Sequence, residues 1–458
     1  MSHLNVDLVI VNAKIYYNGF ILEGGIAVDD GKIVAIGKEP NLPRGDLIVK
    51  AYGRLVIPGL IDAHVHFRDP GFTHKEDFIT GSLAAAMGGV TTIIDEPNTK
   101  PSTINLDFLD QKIEMANEKS YVDYSFSFGL TPNNLDEISA VVDRGIASFD
   151  IFSEGLEKKD TSLNPGFIVE ALTKIRNAGA VACLTNGEPN LNKWFLRKIQ
   201  EEGGKDIAAY GEASPDIVEV IGIARNIIYA DYLGVDVHLR QISSAHAVRV
   251  LRRLNRKDIK VTSEVSPHHL LLDTEYSKSL GPFGKVVPPI RTKDDVESVW
   301  SAFADGTIDI VATDHAPHTK EEKEIGWNII WDAPSGLPGV ETLLPLMLTQ
   351  VQKERLSLQR MVEATSEIPA KIFRLYPRKG AILIGSDADL VLVNLKRKEL
   401  IRGEILHSKI DWTPFEKWKV KGIPIMTIVR GKKVMEDGEI MCKQGHGNFV
   451  ESNALNNK

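Results

Sequence analysis

Cysteine is nearly absent: Cys183 and Cys442 are the only two in 458 residues, and they lie far apart. That scarcity excludes a disulfide framework and points to a reducing compartment. An excess of one charge is also missing. The 54 basic and 62 acidic side chains are interspersed and leave a net charge of −8, which gives no footprint for nucleic acid or anionic membrane. A small-molecule partner is the default expectation. Long apolar runs are lacking too, since the stretch from Ile221 to Ala230 is broken by Arg and Asn and falls short of the roughly 18 residues of a membrane span. The N-terminal MSHLNVDLVIVNAK has no basic segment leading into a long apolar one, so no signal peptide is expected and the cytoplasm is the expected location. What is present, 43% hydrophobic and 25% charged residues, is the balance of a globular enzyme with a sizeable core.

Residues 6 to 58 read as short β-branched strands separated by turn signals, among them the Asp-Asp-Gly of GGIAVDDGKIVAIG. From Gly59 the pattern changes to apolar strands alternating with amphipathic segments, the mark of repeated βα units around a parallel sheet. The strand candidates are GLIDAHVHF, TTIIDE, YSFSFGL, ASFDIF, AVACLTN, DVHLRQI, IKVTSEV and IDIVATD, the number needed for a closed barrel. NLDFLDQKIEMANEK, PGFIVEALTKIRNAG and SAHAVRVLRRLNRK between them repeat apolar residues at helical spacing. From Gly380 short strands return, and the polar tail VESNALNNK is expected to fray. The expected architecture is α/β: a TIM-like (β/α)8 barrel over residues 59–377, with a small β-sandwich-like domain built from 1–58 and 378–458.

His64 and His66 stand two apart at the end of the first barrel strand, in DAHVHFRDPG, so their side chains share a face and both can reach one metal. Catalytic residues gather at that end of a barrel's strands. Alone, an HxH is a weak signal.

Its setting resembles the dihydroorotases, cyclic-amide hydrolases of pyrimidine synthesis within the amidohydrolase superfamily. The likeness rests on PGLIDAHVHFRDPGFTHKEDF, GSLAAAMGGVTTIIDEPNTKP, TSEVSPHHLLLD, PPIRTKDDVESVW, DGTIDIVATDHAPHTKEEKE and GLPGVETLLPL, and spans nearly the whole chain. It implies that His64 and His66 bind a metal and that Asp314 of ATDHAPH is both a ligand and the proton shuttle. A bound divalent ion lowers the pKa of its water towards ~7, and a carboxylate beside it can carry the proton to the departing ring nitrogen. The bland reading of Asp314 is a helix N-cap. The resemblance also implies that Arg68, Asn98 and His318 contact the substrate carboxylate, for which an arginine fork is suited. Structurally, Arg68 could instead pair with Asp69 or Glu76.

Three positions depart from the family pattern. Asp150, in GIASFDIF, stands where many relatives carry a metal-bridging carboxylated lysine, and an aspartate can serve as a shorter ligand. Asn186 in LTNGE and Gln241 in LRQISS replace the two histidines that hold the second metal, and neutral amides bind zinc poorly. One zinc per chain is therefore expected rather than two, held by His64, His66, Asp150 and Asp314. His238 and Cys183 are expected to be packed rather than ligating, Val287 replaces a substrate-contacting asparagine, and His268 and His269 are expected to be structural. Three readings stand at this point. One is a dihydroorotase converting dihydroorotate reversibly to carbamoyl aspartate, as a homo-oligomer by family analogy. Another is a catalytically impaired relative serving as a structural partner, for example of aspartate transcarbamoylase. The last is a hydantoinase- or allantoinase-like hydrolase of cyclic ureides.

Overall fold

The structure, a computed structural model, describes residues 5–156, 164–254 and 260–452. The N-terminal segment supplies β1 (Val6–Tyr17), β2 (Phe20–Asp29), β3 (Lys32–Gly37), β4 (Gly45–Lys50) and β5 (Leu55–Pro58). Two-residue turns join the first three. Asn18-Gly19 and Asp30-Gly31 all have positive φ, the conformation that matches the twist of a tight hairpin. The C-terminal segment supplies, after the barrel, β14 (Leu390–Leu400), β15 (Lys419–Val429), β16 (Lys432–Glu436) and β17 (Glu439–Ile440). Antiparallel pairing of β5 with β14 joins both ends of the chain into one sheet of order β17-β16-β15-β14-β5-β1-β2-β3, with β4 on β1. Ile10, Ile26, Val28, Val49, Leu390 and Ile428 bury together in it.

Between them run the barrel strands β6 (Leu60–Val65), β7 (Val90–Asp95), β8 (Asp123–Gly129), β9 (Ser148–Ile151), β10 (Val181–Leu184), β11 (Val237–Leu239), β12 (Val261–Val265) and β13 (Ile310–Val311). All pair in parallel and in sequence order. A bridge from Val65 to His315, with the His66 amide donating to the His315 carbonyl at 2.8 Å, closes the ring. The eight expected strands are these eight. The helices follow their predicted segments: Leu106–Lys119 starts at Asn105, whose side chain accepts from the Phe108 amide, and Pro165–Asn177 follows Asn164. Ala245–Leu254 covers the described part of SAHAVRVLRRLNRK, whose last residues lie outside the described residues.

Strand alternation divides the apolar residues into two layers. Leu60, Ile93, Phe126, Phe149 and Val237 pack in the outer cluster. Ile61, Ala63, Ile94, Val181, Cys183 and Ile310 pack inside, against Phe373, and close the lower end of the barrel. The start of the tail corrects the expectation of fraying. Val450 is fully buried in that inner cluster, its amide donates to the Tyr124 carbonyl at 2.8 Å, and Phe449 lies against Phe126. From residue 453 the tail lies outside the described residues. Among those described, no helix is long and apolar enough to cross a membrane.

Candidate metal centre and active site

β6 ends in an irregularity of register between Asp62 and Val65, and from there His64 and His66 turn toward the barrel mouth. Asp314 follows β13 with φ of 49°. Donor atoms of the three side chains lie within 4.8 Å of one another, and all three residues are buried. Each imidazole is oriented from behind. His64 Nδ1 meets Glu264 Oε1 at 2.5 Å, leaving Nε2 facing Asp314 Oδ1 at 3.5 Å. His66 Nδ1 meets Asn98 Oδ1 at 2.8 Å, leaving Nε2 3.0 Å from the same Asp314 oxygen. An oxygen acceptor on Nδ1 fixes the tautomer whose Nε2 lone pair is free for a metal. The donor set therefore fits a divalent ion of the zinc type.

Neighbouring charges set the protonation of these groups in the metal-free protein. Burial alone would push His64 down, yet Glu264, with Glu96 and Asp314, pulls it up to about 9 in the metal-free protein. Burial would raise Asp314, but His64 and His66 keep its carboxyl below the ordinary range, so it stays ionised and able to accept a proton. Asp314 caps no helix: the next one, Lys320–Glu324, is capped by Thr319.

Asp150 does not join this group. Its carboxylate is held by the Arg240 guanidinium at 3.1 to 3.3 Å, which corrects the expectation of a fourth metal ligand beside His64, His66 and Asp314. Asn186 and Gln241 are likewise committed elsewhere. The Asn186 amide donates to the Arg240 carbonyl and its oxygen accepts from Asn226 at 3.3 Å, while Gln241, at φ 50° just past β11, donates to Asp314 Oδ2. His238 is fully buried, between Thr262 Oγ1 at 2.9 Å and Glu264 Oε2 at 3.1 Å. Asp150, the one carboxylate among these positions, lies outside the cluster formed by His64, His66 and Asp314.

Of the expected substrate contacts, Asn98 is placed on His66, while Arg68 and His318 sit together, Arg68 Nη2 lying 3.3 Å from His318 Nε2. Arg68 pairs with neither Asp69 nor Glu76, which are taken by Lys119 and His315. Its buried Nε has no partner, leaving a donor available to a bound anion. His318 donates from Nε2 to the Ser335 carbonyl at 3.0 Å and faces Lys75 through Nδ1 at 3.2 Å. Burial and the cations Arg68, Lys75 and Lys323 drive its pKa far down, so it is neutral. A cavity of about 220 Å³ adjoins the centre, lined by Gln241, Arg240, Asn186, Ser153, Pro288 and Arg291, with Val287 at its rim. Of the residues that carry this geometry, the sequence motifs did not single out Glu264, Arg240 or Glu96. Their signal was a charge placed inside otherwise apolar strands.

The Amidohydrolase family profile matches residues 55–434. The chain belongs to the amidohydrolase family. It is similar to the dihydroorotase of Methanosarcina acetivorans, 36% identical over 97% of this chain and 95% of that protein. It is also 33% identical to the L-hydantoinase of Paenarthrobacter aurescens, over 97% of this chain and 98% of that one. Among solved structures, the L-hydantoinase from Arthrobacter aurescens superimposes with a TM-score of 0.95 at 33% identity, covering 97% of this chain and 100% of that one. The family is metal-dependent, and the cluster of His64, His66 and Asp314 is a site where this chain can satisfy that dependence.

Proposed function

We propose that this amidohydrolase is a dihydroorotase that opens the ring amide of dihydroorotate to carbamoyl aspartate with one zinc ion per chain. The observation that carries the reading is a half-buried arginine with an unpartnered donor, Arg68, beside three convergent ligands, His64, His66 and Asp314. A neutral cyclic ureide has no carboxylate for Arg68, which favours dihydroorotate over hydantoins. His64 and His66 would hold the ion through Nε2 and Asp314 through Oδ1. The ion would supply Lewis acidity at the ring carbonyl and an acidified water.

The rest is done by the protein's own groups. Arg68 Nε grips the substrate carboxylate, and the neutral His318 beside it adds no competing charge. Asp314, clamped by Gln241 on one oxygen, takes the proton released when water adds to the carbonyl. It then delivers that proton to the ring nitrogen as the C–N bond breaks, so the nitrogen ends as the NH2 of a ureido group and the carbonyl carbon, holding the water's oxygen, ends as a carboxyl group of the same opened chain.

Metal content per chain, measured together with dihydroorotate turnover before and after chelation and zinc return, tests this. About one zinc with chelator-sensitive turnover supports it. Turnover of hydantoins but not of dihydroorotate would move the chain to the cyclic-ureide reading, and metal-free inactive protein to a structural one. The same proposal includes the domain division at residues 58/59 and 377/378, a cytoplasmic location and self-association. It also includes association with aspartate transcarbamoylase, which co-sedimentation would check.

A further inference from the structure

Below the three ligands, the barrel holds a layer of charges that the reaction as described does not use. Arg240, fully buried, projects from the end of β11 into the barrel. Its Nη2 lies 2.6 Å from Glu96 and 3.1 Å from Asp150, its Nη1 lies 3.2 Å from Glu264, and Nη1 also donates to the Ala63 carbonyl at 3.1 Å. Four strands, β6, β9, β11 and β12, and the residue following β7 thus meet at one guanidinium.

We infer that Arg240 is a built-in cation standing in the second metal position of this barrel, so that the centre is confined to one ion at His64, His66 and Asp314. The inference rests on the reading of those three residues as the metal set. Three observations support it. Asp150, Asn186 and Gln241 are the positions at which the family resemblance places the second metal's ligands, and each is tied to Arg240 or to Asp314. Asp150 is salt-bridged to the guanidinium, Asn186 donates to the Arg240 carbonyl, and Gln241, the next residue, donates to Asp314. A guanidinium keeps its charge at any working pH and offers five donors in a planar fork, so it satisfies several carboxylates at once as a metal would. Without it, Glu96, Asp150 and Glu264 would be buried carboxylates crowded into one layer, an arrangement that demands a cation. Arg240 and His64 also share Glu264, on Nη1 and Nδ1, so the built-in charge is coupled to the orientation of a ligand. The consequence is a centre whose ion count is fixed by the sequence and not by metal supply.

The test is zinc per chain by elemental analysis after loading and dialysis, with cobalt substitution read by its visible spectrum. Wild type is compared with Asn186→His/Gln241→His, which keeps Arg240, and with the same pair plus Arg240→Leu. The expected counts are one, one and two. Wild type or the Arg240-retaining pair holding two ions would overturn the inference while leaving the one-site ligands intact. A folded triple variant that still holds one ion would overturn it as well. Wild type holding none would overturn the underlying reading of His64, His66 and Asp314 itself. The first two proteins decide the matter even where loss of Arg240 prevents folding.

Discussion

Glu264→Gln is the perturbation that most directly separates metal orientation from charge balance. Glu264 is fully buried and accepts from His64 Nδ1 at 2.5 Å, His238 Nε2 at 3.1 Å and Arg240 Nη1 at 3.2 Å. Burial would raise its carboxyl, but His64 and Arg240 hold it well below the ordinary range, so it is ionised throughout. The substitution keeps the shape, deletes the charge, and turns one acceptor into a donor aimed at groups that are themselves donors. Losing a carboxylate behind a metal-bound histidine costs ~10–100-fold in affinity. At ~1.4 kcal/mol per decade that is ~1.4–2.8 kcal/mol. Breaking a buried ion pair from one side costs a further ~3–5 kcal/mol of fold stability. Metal affinity is measured by competition with a chromophoric chelator, and stability by urea titration of the metal-free protein. The competition is run near pH 9, since Glu264 holds metal-free His64 protonated up to about that pH and proton competition would mask the loss below it. Asn98→Ala is the control. It removes one bond from the half-buried Asn98, so affinity falls while stability changes little. A folded Glu264→Gln protein with wild-type zinc affinity would refute the orienting role.

Arg68→Ala is expected to lower kcat/KM for dihydroorotate about 10–100-fold, the ~1.5–3 kcal/mol of a charge-assisted hydrogen bond, and to leave turnover of neutral rings unchanged. Steady-state kinetics on both substrate classes read this out. Truncation after Asn448 removes fully buried Val450 and the ring of Phe449 stacked 6.3 Å from Phe126. It should cost at least ~1.5–3 kcal/mol in urea unfolding, where a free fraying tail would cost nothing. Burial raises the Asp309 carboxyl from 3.8 to about 6, against the Ser263 amide 2.8 Å away. A raised carboxyl binds its proton better in the folded state. Its stabilising contribution is therefore full below pH 3.8 and lost as pH rises through about 6. The stability of wild type relative to Asp309→Asn should fall between pH 4 and 7 in thermal melts, and a difference independent of pH would contradict it.

The fold was legible because it follows from period and order. Eight apolar segments with helices between them can close into a barrel, and the Asp30-Gly31 turn falls where its sequence required. The convergence of His64, His66 and Asp314 was legible because the HxH spacing puts the first two on one face and the family resemblance puts the third beside them. The surroundings of Asp150 were not, since the family resemblance suggested a ligand and only a neighbouring strand shows its carboxylate facing Arg240. The family resemblance makes Asn98 a substrate contact, and its bond to His66 becomes visible only when the loop after β7 is brought against β6.

His238 shows where strand periodicity ends. Regular strand alternation over the three residues from His238 to Gln241 would put the two side chains on opposite faces, but β11 stops at Leu239 and Gln241 adopts a left-handed φ of 50°. His238 in the strand and Arg240 just past its end point inward, and the turn brings Gln241 inward as well. A non-glycine residue in that conformation costs ~1–3 kcal/mol and persists only where its surroundings hold it. Arg68 and Asp314, with φ of 62° and 49°, share the feature at the same mouth. Such backbone cannot be read from residue types, whereas the charge layer beneath it could have been. An arginine at the inward phase of a barrel strand has no water to reach, so carboxylates on the neighbouring strands must answer it. EPN, FDI and SEV, at or just past the ends of three barrel strands, each carry one: Glu96, Asp150 and Glu264.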